Sequence, residues 1–245
     1  MQKGILIGSD DKTEWLLPWW WKYYSKYNDF PVAIVDFGMT PKMVKWCRKK
    51  FQVISLKAPK DFVQQRSALS KKIAKRWQET YIGDVWEARE AWFKKPLACL
   101  QSPFDLNIWM DIDCEVCGSL SPIFEVFERG IELALVRDER SVEEHNYSSG
   151  VMLFPKNAPF LKKWAQLCLE RNDRFMGDQN ALTDLILAKK VQFKELSPIY
   201  NWIMFQGYNV SAVVAHWGAA WGKEHIRRFG GLHELLKGKK KTLLR

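Results

Sequence analysis

The chain has 245 residues, enough for one α/β domain, and its 47% apolar and 27% charged residues describe a globular protein rather than a disordered one. Lys plus Arg number 38 against 28 acids, a formal charge of +10 that favours anionic partners: nucleic acid, phosphorylated metabolites or an acidic membrane face. Collagen-like, coiled-coil and disulfide-scaffold organisations are excluded; the 5 cysteines are odd in number, scattered, and expected to be reduced.

Residues 3–8 read as a buried first strand that ends in the polar turn Ser9-Asp10-Asp11-Lys12. A helix is expected over 14–27, entered at Thr13. Residues 31–36 form a second strand, apolar from Val32 to Val35 as parallel strands covered on both faces are. Thr40 is a candidate N-cap and Pro41 a first helical residue for a helix reaching about residue 50, and 51–56 supply a third strand. This alternation predicts a doubly wound α/β sheet. Residues 62–100 are mainly helical and basic, broken near Gly83 and Pro96. A short apolar strand at 107–110 delivers Asp111-Ile112-Asp113. Further strands are expected at 132–136, 150–154 and 191–196, and helices at 159–171 and 178–188. One domain covers 1–236 and a basic tail 237–245. The N-terminal apolar run is too short for a signal core, and no stretch approaches the ~18 apolar residues of a membrane span, so a cytoplasmic location is expected.

Asp111-Ile112-Asp113 is the sharpest chemical feature. In an extended chain residues i and i+2 share a face, so both carboxylates converge on one cation. Open α/β sheets bind ligands at the carboxyl ends of their strands, and hard oxygen ligands there suit Mg²⁺ or Mn²⁺ completed by water and substrate phosphates. Two solvated loop acids are the bland alternative, and the Trp109-Met110 strand end argues against exposure. His216 follows the apolar run 212–215 and precedes Gly218 and Lys223: a third, imidazole ligand, glycine backbone and a lysine near phosphate oxygens. As a lone feature it would more often be a core or surface histidine. Asp178-Gln179 opens a predicted helix, where Asp also serves as a cap. Lys94-Lys95 precedes the metal strand; one lysine reaches a phosphate, or the pair is solvated. Cys114-Glu115-Val116-Cys117 lacks a second close pair of zinc ligands and reads as core cysteines, while His225 and His233 read as surface histidines.

These pieces, in this order, resemble the glycosyltransferases of the GT-A fold, and most closely the retaining lipopolysaccharide galactosyltransferase and glycogenin kind. The matching segments are Ile5-Leu6-Ile7-Gly8-Ser9-Asp10, Trp109-Met110-Asp111-Ile112-Asp113 as the DXD motif, and Tyr147-Ser148-Ser149-Gly150-Val151-Met152-Leu153-Phe154. Gly177-Asp178-Gln179-Asn180-Ala181-Leu182, Leu196-Ser197-Pro198-Ile199-Tyr200-Asn201-Trp202 and His216-Trp217-Gly218 complete the set. The chain departs from the family pattern in the shortened His216-Trp217-Gly218 spacing, in Ser148 where the family has Asn, and in Lys94 or Lys95 where an arginine often precedes the metal strand.

The resemblance implies a single-domain, Rossmann-like α/β fold with a mixed, mostly parallel sheet flanked by helices. It implies transfer of a hexose from a nucleotide-diphosphate sugar, UDP-hexose first, to a glycan, lipid-linked glycan or protein acceptor, with retention of configuration. Asp111, Asp113 and His216 would hold Mn²⁺ or Mg²⁺, with Asp111 also near the ribose and Ser9 and Asp10 near the base or ribose. Gly218, Lys223 and Lys94 or Lys95 would meet the phosphates. Asp178 would bind a sugar hydroxyl and Gln179 would stabilise the cation at the anomeric carbon. The basic tail would lie on anionic lipid, each charge contributing about 1 kcal/mol near the surface. A metal-dependent nucleotidyltransferase would want a glycine-rich basic loop where Ser9-Asp10-Asp11 is acidic. A nucleic-acid-binding protein would interleave its aromatics with Lys and Arg, which residues 15–21 do not; no nucleic-acid partner is expected.

Overall fold

The computed structural model describes residues 1–81, 83–128, 130–138 and 147–243, with side chains to 237. The chain opens with β1 (Lys3–Ser9), α1 (Leu17–Tyr27), β2 (Val32–Asp36), α2 (Pro41–Cys47) and β3 (Gln52–Ser55), the alternation the apolar runs predict. Thr40 caps α2 by accepting the Met43 N–H at 3.3 Å, and Pro41, which has no N–H to lose, is the first helical residue. Thr13 acts differently. Its hydroxyl and N–H both donate to Asp10 Oδ1, at 2.6 and 3.0 Å, and it heads only a 3₁₀ turn before α1 starts at Leu17.

Next come α3 (Lys71–Thr80) and α4 (Val85–Leu100), with Gly83 between them at φ 130°. Contrary to expectation, Pro96 does not break α4. Its missing N–H and ring clash cost about 3 kcal/mol, but Phe93 and Leu97 are buried on the same helix, at roughly 1.5–3 kcal/mol each. Tertiary packing wins.

The rest of the chain is β4 (Leu106–Met110), β5 (Cys114–Val116), α5 (Ser121–Glu125), β6 (Leu133–Arg137), β7 (Tyr147–Pro155), α6 (Pro159–Glu170), α7 (Asp178–Leu187), β8 (Phe193–Glu195), β9 (Trp202–Ile203), β10 (Val214–His216), α8 (Ala219–Phe229) and α9 (Leu232–Leu243). β7 starts three residues before the predicted 150–154, because the polar but buried Ser148 and Ser149 continue its ladder. α9 keeps its helical backbone across residue 237, where the sequence reading ends the domain.

Seven strands form the main sheet in the order β3-β2-β1-β4-β7-β6-β8. β3, β2, β1 and β4 run parallel, β7 is antiparallel to both β4 and β6, and β8 is parallel to β6. A small second sheet, β5-β10-β9, carries the chain beyond β4. Alternate residues of each strand feed opposite apolar layers. Ile5, Ile7, Ile108 and Met110 pack with Leu16, Leu17 and Trp20 at the start of α1; Leu6 and Trp109 pack with Phe93 of α4 and Phe160 and Trp164 of α6. The parallel strands therefore end together, and Ser9, Asp36, Ser55 and the Asp111 turn share one edge of the sheet.

Candidate active site

β4 ends at Met110, and Asp111-Ile112-Asp113 is a turn closed by the Cys114 N–H donating to the Asp111 carbonyl at 3.0 Å. The face-sharing expected of an extended chain therefore does not apply here. Each carboxylate instead has a cation of its own.

Asp111 is held from the α4 side. Trp109 Nε1–H donates to its Oδ1 at 2.7 Å, and Lys95 Nζ lies 3.1 and 3.2 Å from its two oxygens. The same ammonium reaches Asp178 Oδ2 at 3.4 Å and the Ser149 hydroxyl at 3.0 Å, while Ser149 Oγ–H donates to Asp178 Oδ2 at 2.7 Å. Lys95 and Asp178 are both buried. Burial opposes the Lys95 charge, yet Asp111 and then Asp178 outweigh it and raise its pKa. Burial, together with the Asp111 charge, pushes the Asp178 carboxyl up against the pull of Lys95. Lys95 is thus enclosed by protein oxygens, between two acids. Lys94 points elsewhere, donating to the Phe37 carbonyl at 3.0 Å and pairing with Glu90 at 2.6 Å. It lines a cavity of about 440 Å³ at the ends of β2 and β3, together with Asp36, Ser55 and Phe62.

Asp113 is held from the other side. Its Oδ2 accepts from Lys223 Nζ at 2.8 Å, and its Oδ1 stands 3.3 Å from His216 Nε2. Burial works against ionisation, but Lys223 and then His216 hold the Asp113 carboxyl well below the usual carboxylate range. β10 delivers His216 because it pairs with β5: the register sets His216 opposite Cys114, and Trp217 N–H donates to the Asp113 carbonyl at 3.0 Å. Gly150 of β7 makes room for the ring, since a Cβ there would strike Cε1 and come within 2.6 Å of Nδ1. Gly218 is the N-cap of α8, whose first turns bring Lys223 back onto Asp113.

Asp113, Cys114 and His216 are a set of side chains whose ligand atoms lie within 4.8 Å of one another. Ligands at about 2.1 Å from Mg²⁺ and at right angles stand about 3 Å apart, so the 3.3 Å between Asp113 and His216 suits two ligands of one small cation. Burial pushes the Cys114 thiol well up, so for a hard cation the oxygen and imidazole donors are the fitting pair. Asp111 is outside that group.

The remaining sequence candidates gather near the same edge. Ser9 is buried with its hydroxyl 3.2 Å from Thr13 Oγ1, and Asp10 braces the following turn through Thr13. Gln179 accepts the Ser149 N–H at 3.4 Å and donates to Asp138 Oδ2 at 3.2 Å. In sequence Ser149, Gly150 and Asn201 stand only within segments matched to the family, Ser149 and Gly150 in its acceptor-side strand, with no individual role; the small residues of the Ser148-Ser149-Gly150 run are the available signal, because they let the strand approach other groups closely.

His233 is not a surface histidine. Its Nδ1 lies 2.6 Å from Glu115 Oε1, its Nε2 lies 2.8 Å from Tyr27 OH, and its ring stacks on Tyr23 at 4.4 Å. His225 likewise stacks on Trp217 at 4.4 Å.

No family model and no curated protein sequence matches the chain. Solved structures do. The glycosyltransferase GlyE of Streptococcus pneumoniae TIGR4 aligns with a TM-score of 0.60 and 14% identity, covering 90% of this chain and 55% of that one. An active-site Gln→Glu mutant of LgtC aligns with a TM-score of 0.59 and 13% identity, over 91% of this chain and 94% of that one. Mouse xyloside xylosyltransferase 1 aligns with a TM-score of 0.54 and 15% identity, over 88% and 97%. This chain thus spans about half the length of GlyE and nearly the whole of the other two. With its seven-stranded mixed sheet, helices on both faces and the small sheet beyond β4, the chain has the fold of the GT-A glycosyltransferases.

Proposed function

We propose that the protein is a metal-dependent glycosyltransferase that moves a hexose from a nucleotide-diphosphate sugar, with UDP-hexose as donor, to a glycan, lipid-linked glycan or protein acceptor with retention of configuration. One observation carries this reading: Asp113, His216 and Lys223 meet at the carboxyl edge of the parallel strands, beside a second carboxylate, Asp111, that Lys95 and Trp109 hold in place. Asp113 and His216 would hold Mn²⁺ or Mg²⁺, with Asp111 as the second carboxylate. When bound, such an ion acts as a Lewis acid toward the departing diphosphate.

The protein's own residues then divide the work. Lys223 sits next to the ion-binding pair, where an ammonium neutralises phosphate oxygens, and Gly218, the N-cap of α8, stands beside the His216 ring, since a Cβ there would lie 3.7 Å from Nε2. Ser9 and Asp10 would face the nucleoside. The cavity at the ends of β2 and β3, about 440 Å³, has the size of a small-ligand pocket. Lys95 serves as a positioning residue: its single charge fixes Asp111 and Asp178 together. Gln179, oriented by Ser149 and Asp138, and Asp178 are the polar groups for the sugar and for positive charge at its anomeric carbon. The basic residues 237–245 would bring the protein onto an anionic membrane face.

A thermal-shift screen of nucleotide sugars with and without Mn²⁺ tests the reading. A ligand that binds only the folded state at 100 times its Kd adds about 2.7 kcal/mol, so the true donor raises the melting temperature by several degrees, and only with the metal. No shift with any sugar nucleotide sinks the proposal. Gly150→Ala is a second check, because the added methyl displaces the His216 ring. Mn²⁺ affinity is expected to fall about 10- to 100-fold with the circular dichroism spectrum unchanged. Undiminished affinity removes His216 from the ligand set.

A further inference from the structure

Arg89 lies in α4 and is 1% exposed, and its partners are uncharged. Nη1 donates to the Phe175 and Met176 carbonyls at 2.6 and 2.7 Å, and Nη2 donates to the Asn172 carbonyl at 2.9 Å. The rings of Trp77 and Phe93 stand 4.4 and 4.9 Å from its Cζ. Burial lowers its pKa to about 10, which leaves it charged at neutral pH. A cation is costly to bury, and here three charge-assisted hydrogen bonds and two aromatic faces offset that cost.

The three carbonyls belong to the connection between α6 and α7, which ends at Gly177 and delivers Asp178 and Gln179. Arg89, Trp92 and Lys95 are spaced three apart on α4, so they neighbour one another on the helix surface. Each meets a successive part of that connection. Arg89 takes residues 172–176; Gly177 packs on Trp92, where a Cβ would come within 2.9 Å of Cε3; Lys95 reaches Asp178 at 3.4 Å. Trp164 Nε1–H donates to the Asp178 carbonyl at 2.9 Å from the side of α6. We propose that Arg89 is a positioning residue that holds the α6–α7 connection by its carbonyls and so fixes where Asp178 and Gln179 stand. Their work on the sugar rests on the reading above; their placement by Arg89 does not.

Arg89→Lys tests this, because it keeps the charge but replaces a planar fork by a compact ammonium on a flexible stem. Ile123→Ala, in the apolar layer on the other face of the sheet, controls for lost stability alone. The first arm needs no substrate. NMR hydrogen exchange follows the Gly177 N–H, which donates to Asn180 Oδ1 at 3.1 Å, and the Trp164 indole N–H. Relative to the β7 amides of the same protein, both are expected to exchange about 10-fold faster in Arg89→Lys and at the wild-type ratio in Ile123→Ala. Unchanged ratios in Arg89→Lys overturn the proposal. The second arm measures UDP release from UDP-glucose and UDP-galactose with Mn²⁺, at a temperature where all three proteins are folded. Arg89→Lys is expected to lower kcat about 10- to 100-fold, as a misplaced group does, with the donor KM within about twofold of the wild type. The KM is spared because Asp113, His216 and Lys223, proposed to hold the diphosphate end, stand on other elements. A kcat within about twofold of the wild type, or a fall that Ile123→Ala matches, leaves Arg89 a packing residue and overturns the positioning role. If the wild type releases no UDP from either donor, the UDP-hexose reading fails, while the exchange arm still decides whether Arg89 places Asp178.

Discussion

Asp113→Asn is expected to lower turnover at saturating donor and Mn²⁺ by about 10³-fold while leaving the fold intact. The side chain keeps its size and one carbonyl oxygen but loses the charge on which both neighbours depend. A metal acting as a Lewis acid supplies several kcal/mol of transition-state stabilisation, and every 1.36 kcal/mol is tenfold in rate, so losing about 4 kcal/mol gives the stated factor. The fold nevertheless survives the change. Lys223, the cation left behind, is 29% exposed at its side chain, so water can solvate it. The carbonyl of residue 113 still accepts the Trp217 N–H, so β10 keeps its place. Because Lys223 and His216 hold the Asp113 carboxyl well below the usual range, its charge also contributes to stability, so a melting temperature lowered by several degrees with an unchanged circular dichroism spectrum is expected beside the rate loss. A rate within tenfold of the wild type would show that the charge at 113 does no catalytic work.

The contrast between Asp113 and Asp111 shows what the sequence could and could not disclose. The apolar strand, the pair of acids behind it and the His216 segment are all visible as one-dimensional pattern, because each depends on local alternation or on residue type. Which partner each acid takes depends on contacts between positions far apart in the chain. Lys95 was legible as a lysine near the metal strand. Its enclosure between Asp111 and Asp178 arises because α4 continues through Pro96, and local propensity argues for a break there. In the same way Asn201 belongs to a weak motif in sequence, and its contact with His216 appears only when β9 and β10 pair. The sheet itself was largely readable from strand to strand. Its order was not, since the antiparallel placement of β7 between β4 and β6 brings together segments about forty residues apart.

Glu115 lies between Cys114 and Cys117 with no pattern around it to mark it in sequence, and it is expected to be among the most important residues for stability. It is wholly buried on β5 and accepts four hydrogen bonds. Trp217 Nε1–H donates to Oε2 at 2.9 Å and the Leu232 N–H at 2.6 Å; the His233 N–H reaches Oε1 at 2.9 Å, with His233 Nδ1 2.6 Å from the same oxygen. Leu232 and His233 are the first two residues of α9, so the carboxylate satisfies N–H groups that have no partner within the helix and favours the positive end of its dipole. In Glu115→Ala all four donors lose their acceptor in a space closed by the Gly231 backbone and the Trp217 ring. The expected loss is about 3–5 kcal/mol, the range for breaking a buried charged pair, and for a chain of this size it lowers the melting temperature by on the order of 10 °C. Glu115→Gln recovers little, because its amide nitrogen would face donors rather than acceptors. Hydrogen exchange locates the damage: the Leu232 and His233 amides should lose protection before those of the main sheet, with the α8–α9 corner opening first. Trp217 follows His216 directly, so the same variant should also weaken Mn²⁺ binding. A melting temperature within 2 °C of the wild type would mean that α9 is held by its apolar contacts alone, with Leu232, Leu235 and Leu236 packed on the core and the buried carboxylate superfluous.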